Sequence, residues 1–229
     1  MYTLNVLFTQ ADLKVIQNAN ENVVLIKQVP DGGNKLTWVT FEPFEKNIVT
    51  WNNDYYLFAS NTDPVEGHPI IVNSKTKAQA HYTYTFTNNS FSNGDYDSQL
   101  GIDQYGVKNE QDSSMQFFTF GMAQNCTVNG TEKAIMPINA EVVPHAQFAQ
   151  FTPEETVLIF LASDLQESEV YNNVRVDSSF LKTCANSAGP PSQILAAQSI
   201  STELSFSKTN EITVEYSNDL GKFVETNDS

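Results

Sequence analysis

Arginine is nearly missing from this chain: Arg175 stands alone, and with the lysines it makes 12 basic residues against 27 acidic ones, for a formal net charge of -15. Phosphate backbones and anionic lipid are bound mainly by clustered Lys and Arg, so this balance argues against nucleic acid and bilayer as partners. Histidine is as scarce. His68, His81 and His145 are isolated from one another and from any Cys or Glu at ligand spacing, whereas a zinc site needs three or four convergent N or S ligands. Two cysteines, Cys126 and Cys184, can pair, but so few in a chain this long make no disulfide framework. No run approaches the roughly 20 apolar residues of a transmembrane helix, and MYTLNVLF lacks the basic and long apolar regions of a secretory signal, so the expected location is the cytoplasm.

The common catalytic signatures are missing too. There is no Gly-x-Ser-x-Gly elbow, no Walker A loop and no Gly-x-Gly-x-x-Gly, and Cys126 sits in Asn-Cys-Thr without a thiol-protease context. The expectation is a protein that is not an enzyme.

What the chain does have is apolar content of 40% and aromatics at 11%, with 15 Phe and 9 Tyr, enough for one sizeable core in 229 residues. Strand-like segments recur about every 10 residues with turns between them, which predicts an all-β fold: a single-domain antiparallel β-sandwich or jelly roll with one short N-terminal helix. The domain is expected over residues 1–217, with 218–229 a polar acidic tail. Thr9-Gln10-Ala11-Asp12 has the form of a capping box for the helix. Asn129-Gly130 carries the strongest hairpin signal, between about Gln116 and Ile135. Thr156–Ala162 is the most apolar run and reads as a central strand. Ser199–Ser207 and Glu211–Ser217 alternate cleanly and read as a closing hairpin. Asn88–Asp112 is polar without a clear period and reads as loop with one short strand near Leu100–Val107.

Leu36–Asn61 holds both tryptophans and two runs of β-formers either side of Glu-Pro-Phe-Glu-Lys-Asn, so it reads as a strand pair with an exit into a third strand. Trp38, Trp51, Tyr55, Tyr56, Tyr82 and Tyr84 are the candidate ligand contacts, because aromatic faces stack on sugars and fill protein pockets. Trp38 and Trp51 are expected mainly inside, as aromatic pairs on β-surfaces usually are. Tyr82, Tyr84 and Phe86 alternate with Thr83, Thr85 and Thr87, giving a half-exposed strand whose threonine face is solvated or meets a partner. Asn93-Gly94-Asp95-Tyr96-Asp97 with Asp103 resembles an oxygen-rich, Gly-containing calcium loop, although EF-hand spacing is absent; Asp95, Asp97 and Asp103 are the metal candidates, set against a plain solvated turn.

Tyr2-Thr3-Leu4-Asn5-Val6 followed by Ala11-Asp12-Leu13, the Asn47–Trp51 strand, and Tyr55-x-Leu-Phe-Ala-Ser-Asn resemble an uncharacterised group of β-rich proteins of similar length in fungi and bacteria that lack signal peptides. The match covers the first quarter to third of the chain. It implies a cytoplasmic β-rich protein and carries over no active-site residues. The opening strand and helix are also similar to the PixA/AidA inclusion-body proteins, from which no function is carried over.

The function expected is a non-enzymatic β-sandwich that binds a ligand, carbohydrate included, or assembles with itself as a homo-oligomer; lectin-like, toxin-like and storage roles all belong to this class. The alternatives are a carbohydrate-active hydrolase using paired carboxylates from separate strands, and a pore-forming toxin-like protein. For the last, His81–Asn93 with Ser113–Thr119 is the nearest approach to an amphipathic hairpin, and it is short and aromatic.

Overall fold

The computed structural model describes residues 1–31, 33–112, 117–171 and 201–226. In chain order the elements are β1 (Tyr2–Leu7), α1 (Gln10–Asn18), β2 (Asn22–Lys27), β3 (Asn34–Lys35), β4 (Val39–Phe41), β5 (Lys46–Ser60), β6 (Ser74–Lys77), β7 (Tyr82–Thr87), β8 (Ser90–Phe91) and β9 (Asp95–Tyr96). They continue with β10 (Tyr105–Asn109), β11 (Phe117–Val128), β12 (Thr131–Pro137), β13 (Asn139–Pro144), β14 (Phe148–Phe151), β15 (Thr156–Ala162), β16 (Thr202–Ser205), β17 (Glu211–Ser217) and β18 (Lys222–Glu225). No helix is long and apolar enough to cross a membrane among the described residues.

The fold is all-β with one helix, as the strand spacing predicts. Nine strands form the largest sheet, in the order β18-β17-β1-β5-β11-β13-β3 with β6 on β5 and β12 on β11. A four-stranded sheet runs β16-β15-β2-β4, and a five-stranded one runs β14-β10-β7-β8 with β9 on β7. Inward residues of all three meet in one core that includes Leu4, Val49 and Trp51 from the first, Leu25, Ile159 and Leu204 from the second, and Phe86, Val107 and Phe151 from the third. Most pairings are antiparallel, but β1 runs parallel to β17 and β10 parallel to β7.

Local chemistry explains the elements that were easiest to foresee. Thr9 accepts a hydrogen bond from Asp12 N while Asp12 reaches back to Thr9 N, closing the capping box of α1. Asn129 and Gly130 take φ values of 50° and 81°, the left-handed pair that a two-residue hairpin requires between β11 and β12. Strand β15 is central, between β16 and β2.

Leu36–Asn61 departs from its expected layout. Its strands β4 and β5 are not paired: β4 adds to β2, whereas β5 joins β1, β11 and β6 in the nine-stranded sheet. The chain changes sheet across Leu36–Val39, where Leu36 N donates to Ile138 O and Trp38 N donates to Leu25 O. Both faces of this crossing are covered, so Leu36, Thr37, Trp38 and Val39 are all buried. Strand β5 is a single 15-residue element because Val49, Trp51, Tyr55 and Leu57 all bury against the core.

The closing hairpin is also corrected. Strand β16 pairs with β15 and β17 with β1 and β18, in different sheets. Alternation marks Leu204, Ile212 and Val214 as inward but does not say which neighbour each strand takes, and all three reach the same core from two sheets. The expected tail holds β18, whose Phe223 is 1% exposed and packs edge-on against Phe8 and Tyr216. Asn88–Asp112 contains three strands: Asn88 and Asn89, at φ 50° and 59°, make a tight turn from β7 into β8, and β9 returns to β7 before β10 begins. A strand around Val174–Val176, the Cys184–Ser192 loop and the start of the expected closing hairpin fall outside the described residues.

Candidate functional site

Strand β2 is buried along nearly its whole length, and its last residue is a lysine. Lys27 is 1% exposed, and its Nζ lies 5.5 Å from the Trp38 ring centroid, 5.2 Å from that of Trp51 and 5.9 Å from that of Tyr55. The two indoles meet edge to face at 5.4 Å. Three aromatic faces thus surround one ammonium, an arrangement that ring quadrupoles favour. Among the described residues, the one carboxylate in contact with it is Glu155, at the entry to β15, with Oε2 3.5 Å from Nζ. Tyr55 Oη donates to the other oxygen, Oε1, at 3.1 Å.

At 3.5 Å the Lys27–Glu155 contact is an ion pair and not a hydrogen bond. Among the described residues, Lys27 Nζ, Glu155 Oε2, Trp51 Nε1 and Gln124 Oε1 have no hydrogen-bond partner. Gln124 lies beside Tyr55 on the neighbouring strand, and its Nε2 donates to Asn52 O at 2.7 Å. Burial outweighs the nearby carboxylate and lowers the Lys27 ammonium to about 8. The Tyr55 phenol is raised, by burial first and by Glu155 second. Burial also pushes the Cys126 thiol up to about 12, which makes it a poor nucleophile.

A second arrangement lies on the outer face of the five-stranded sheet. Register places Thr83 and Thr85 of β7, Asp95 of β9, Gly106 and Lys108 of β10, and Phe148 and Gln150 of β14 on that one face. Tyr82, Tyr84 and Phe86 point the other way, into or against the core. The Phe148 ring lies over Gly106, where an added Cβ would come within 3.0 Å of it and within 2.5 Å of Thr83 Oγ1. Glycine is what lets the Cε2–Cζ end of the ring come this close to the sheet, and Phe148 is 46% exposed. Around it, Thr83 Oγ1 donates to Asp97 Oδ2 at 2.9 Å, and Lys108 Nζ pairs with Glu110 at 2.6 Å.

The six aromatic candidates therefore divide. Trp38, Trp51 and Tyr55 converge, but around Lys27 in the interior and away from any surface ligand; Tyr84 is buried as well. Tyr56 is half-buried against the small cluster of Leu36, Phe58 and Ile70. Tyr82 is half-buried and faces the exposed Tyr96 across β7 and β9 with centroids 6.0 Å apart. No three His, Cys, Asp or Glu side chains among the described residues converge as metal ligands. Asp95 and Asp103 are exposed, while Asp97 accepts from Thr83 and from Gln99 N and so serves as a turn-former.

No family model, curated protein or solved structure matches the chain. The site therefore rests on its own geometry. Lys27, Glu155 and Phe148 were not foreseen as site residues, although a lysine closing the continuous apolar run that begins at Val23 is itself a signal, since a charge is seldom buried without a purpose or a partner. The asparagines of Asn125-Cys126-Thr127 and Asn129-Gly130-Thr131 are held by hydrogen bonds within the fold. Asn129 Oδ1 accepts from Ile48 N at 2.8 Å and its Nδ2 donates to Asn47, while Asn125 Oδ1 accepts from Ile135 N at 2.7 Å.

Proposed function

We propose that this chain is a non-enzymatic β-sandwich protein that binds carbohydrate through the outer face of its five-stranded sheet. The observation that carries the reading is Phe148: a half-exposed ring set against Gly106, on the face that also carries Thr83, Thr85 and Gln150, with Asp97 bonded to Thr83. A sugar presents an apolar face to such a ring and hydroxyls to its rim, and hydroxyl, carboxylate and amide groups are what those hydroxyls pair with. The core shared by the facing sheets supports the sandwich arrangement and keeps this face rigid. The threonine surface of β7, expected to be solvated or to meet a partner, here becomes the floor of the contact.

A glycan array probed with the wild-type chain and with Phe148→Ala tests this. The expected result is binding to at least one glycan class that falls at least tenfold in the variant, a loss of about 1.4 kcal/mol. Equal binding by both proteins, or no binding by either, would sink the reading. Sedimentation velocity on the same samples separates it from self-assembly, which predicts a larger species that persists without glycan.

A further inference from the structure

Lys27 is the one amine of the described chain set beneath the surface with an acid–base pair against it, and nothing in the outer-face reading uses it. Its Nζ sits among Trp38, Trp51 and Tyr55, 3.5 Å from Glu155 Oε2, and Glu155 Oε1 accepts from Tyr55 Oη at 3.1 Å. The Lys27 side chain is 0% exposed and that of Glu155 is 21% exposed, so the carboxylate forms the outer wall and the amine lies one side chain below solvent. A desolvated lysine next to a group that can take and return a proton is the arrangement that makes an amine nucleophilic toward carbonyl carbon. The orphaned donors and acceptors at Lys27, Glu155, Trp51 and Gln124 are sites at which a small polar molecule finds partners.

We propose that Lys27 is a covalent capture site for small aldehydes or ketones, which it holds as an imine after Glu155 swings outward to admit them. Glu155 takes one proton from the ammonium; the freed amine bonds to the carbonyl carbon as the C=O π bond breaks, and one of its two protons passes to that oxygen, giving a carbinolamine. Glu155 then returns its proton to the departing hydroxyl, which leaves as water, while the nitrogen keeps one proton. The net change is loss of one water, with the protonated imine facing the carboxylate in place of the ammonium. Tyr55, through its hydrogen bond to Oε1, returns Glu155 to the amine once the carbonyl compound has entered. An amine that loses its proton near pH 8 is available for such attack near neutrality, as an exposed lysine is not.

The test is reductive trapping on the folded chain. Wild-type protein is treated with propanal and cyanoborohydride at neutral pH, and peptide mass mapping compares alkylation of Lys27 with that of the exposed Lys75. The expected result is at least tenfold faster modification at Lys27, and a fall of that ratio to near one or below in Glu155→Gln. An unmodified Lys27 beside a modified Lys75, or an unchanged ratio in Glu155→Gln with its circular-dichroism melt retained, overturns the proposal. The readout is taken on the wild-type fold, so a poorly folding variant does not decide the first arm.

Discussion

Two opposing effects act on the ammonium of Lys27: burial removes its hydration, and Glu155 with three ring faces returns part of what is lost. Burial is the larger, so the folded chain gives up the proton near pH 8, while the unfolded chain keeps it to the ordinary value of 10.5. Between those values Lys27 binds more protons in the unfolded state, and on its account stability rises with pH by up to about 1.4 kcal/mol per unit. Above about pH 9 the sign reverses, because burial keeps the Cys126 thiol and then the phenols of Tyr55, Tyr105 and Tyr171 protonated in the fold after they ionise in the unfolded chain. Urea unfolding from about pH 7 to about pH 8.5 is expected to show the rise in wild type and a flatter profile in Lys27→Met. A rise of equal slope in both proteins would mean that Lys27 is not its source.

At the scale of the element, Ile135 is the strained position: a β-branched residue at φ 57°, near the register shift between Gln124 and Cys126 where β12 pairs with β11. Asn125 supports it by accepting the Ile135 N–H at 2.7 Å. Asn125→Ala leaves that donor without its partner, and a loss of roughly 1–3 kcal/mol is expected in chemical denaturation. A change within about 0.3 kcal/mol would show that the bulge holds itself.

How far such elements can be read from sequence depends on whether their cause is local. The capping box of α1 and the Asn129-Gly130 turn are set by residues within four positions of one another, and both were legible. Asn88-Asn89 makes the same kind of turn between Phe86 and Phe91, yet it sits inside a polar run that hid the pattern. The partners of β4, β16 and β17 were not legible, since a strand's alternation fixes its inward face and is silent on its neighbours. The Lys27 cluster draws on β2, β5 and the residue before β15, 128 positions apart at its widest, Lys27 to Glu155, and only folding brings these together. Of the candidate site, the threonine face was legible, while Phe148 came onto it through a β14–β10 pairing that no local signal announces.

For the molecule as a whole, β18 belongs to the packed sheet. Phe223 is in the core, and Thr202 Oγ1 donates to its carbonyl at 2.6 Å. A chain ended at Ser217 is expected to lose about 3–5 kcal/mol, the scale of emptying a buried phenylalanine site, with the urea midpoint as the measure. Stability equal to wild type would restore residues 218–229 to the role of a dispensable tail.

Strand β1 lies between β5 and β17, and it pairs with β17 from Thr3↔Glu211 to Leu7↔Glu215. On a ribosome, β1 must wait through the synthesis of about 200 further residues for β17, with that edge open to other chains throughout. Stalled or truncated products that end before residue 211 therefore carry a permanently unzipped sheet, and nascent-chain aggregation should fall sharply once translation passes that point.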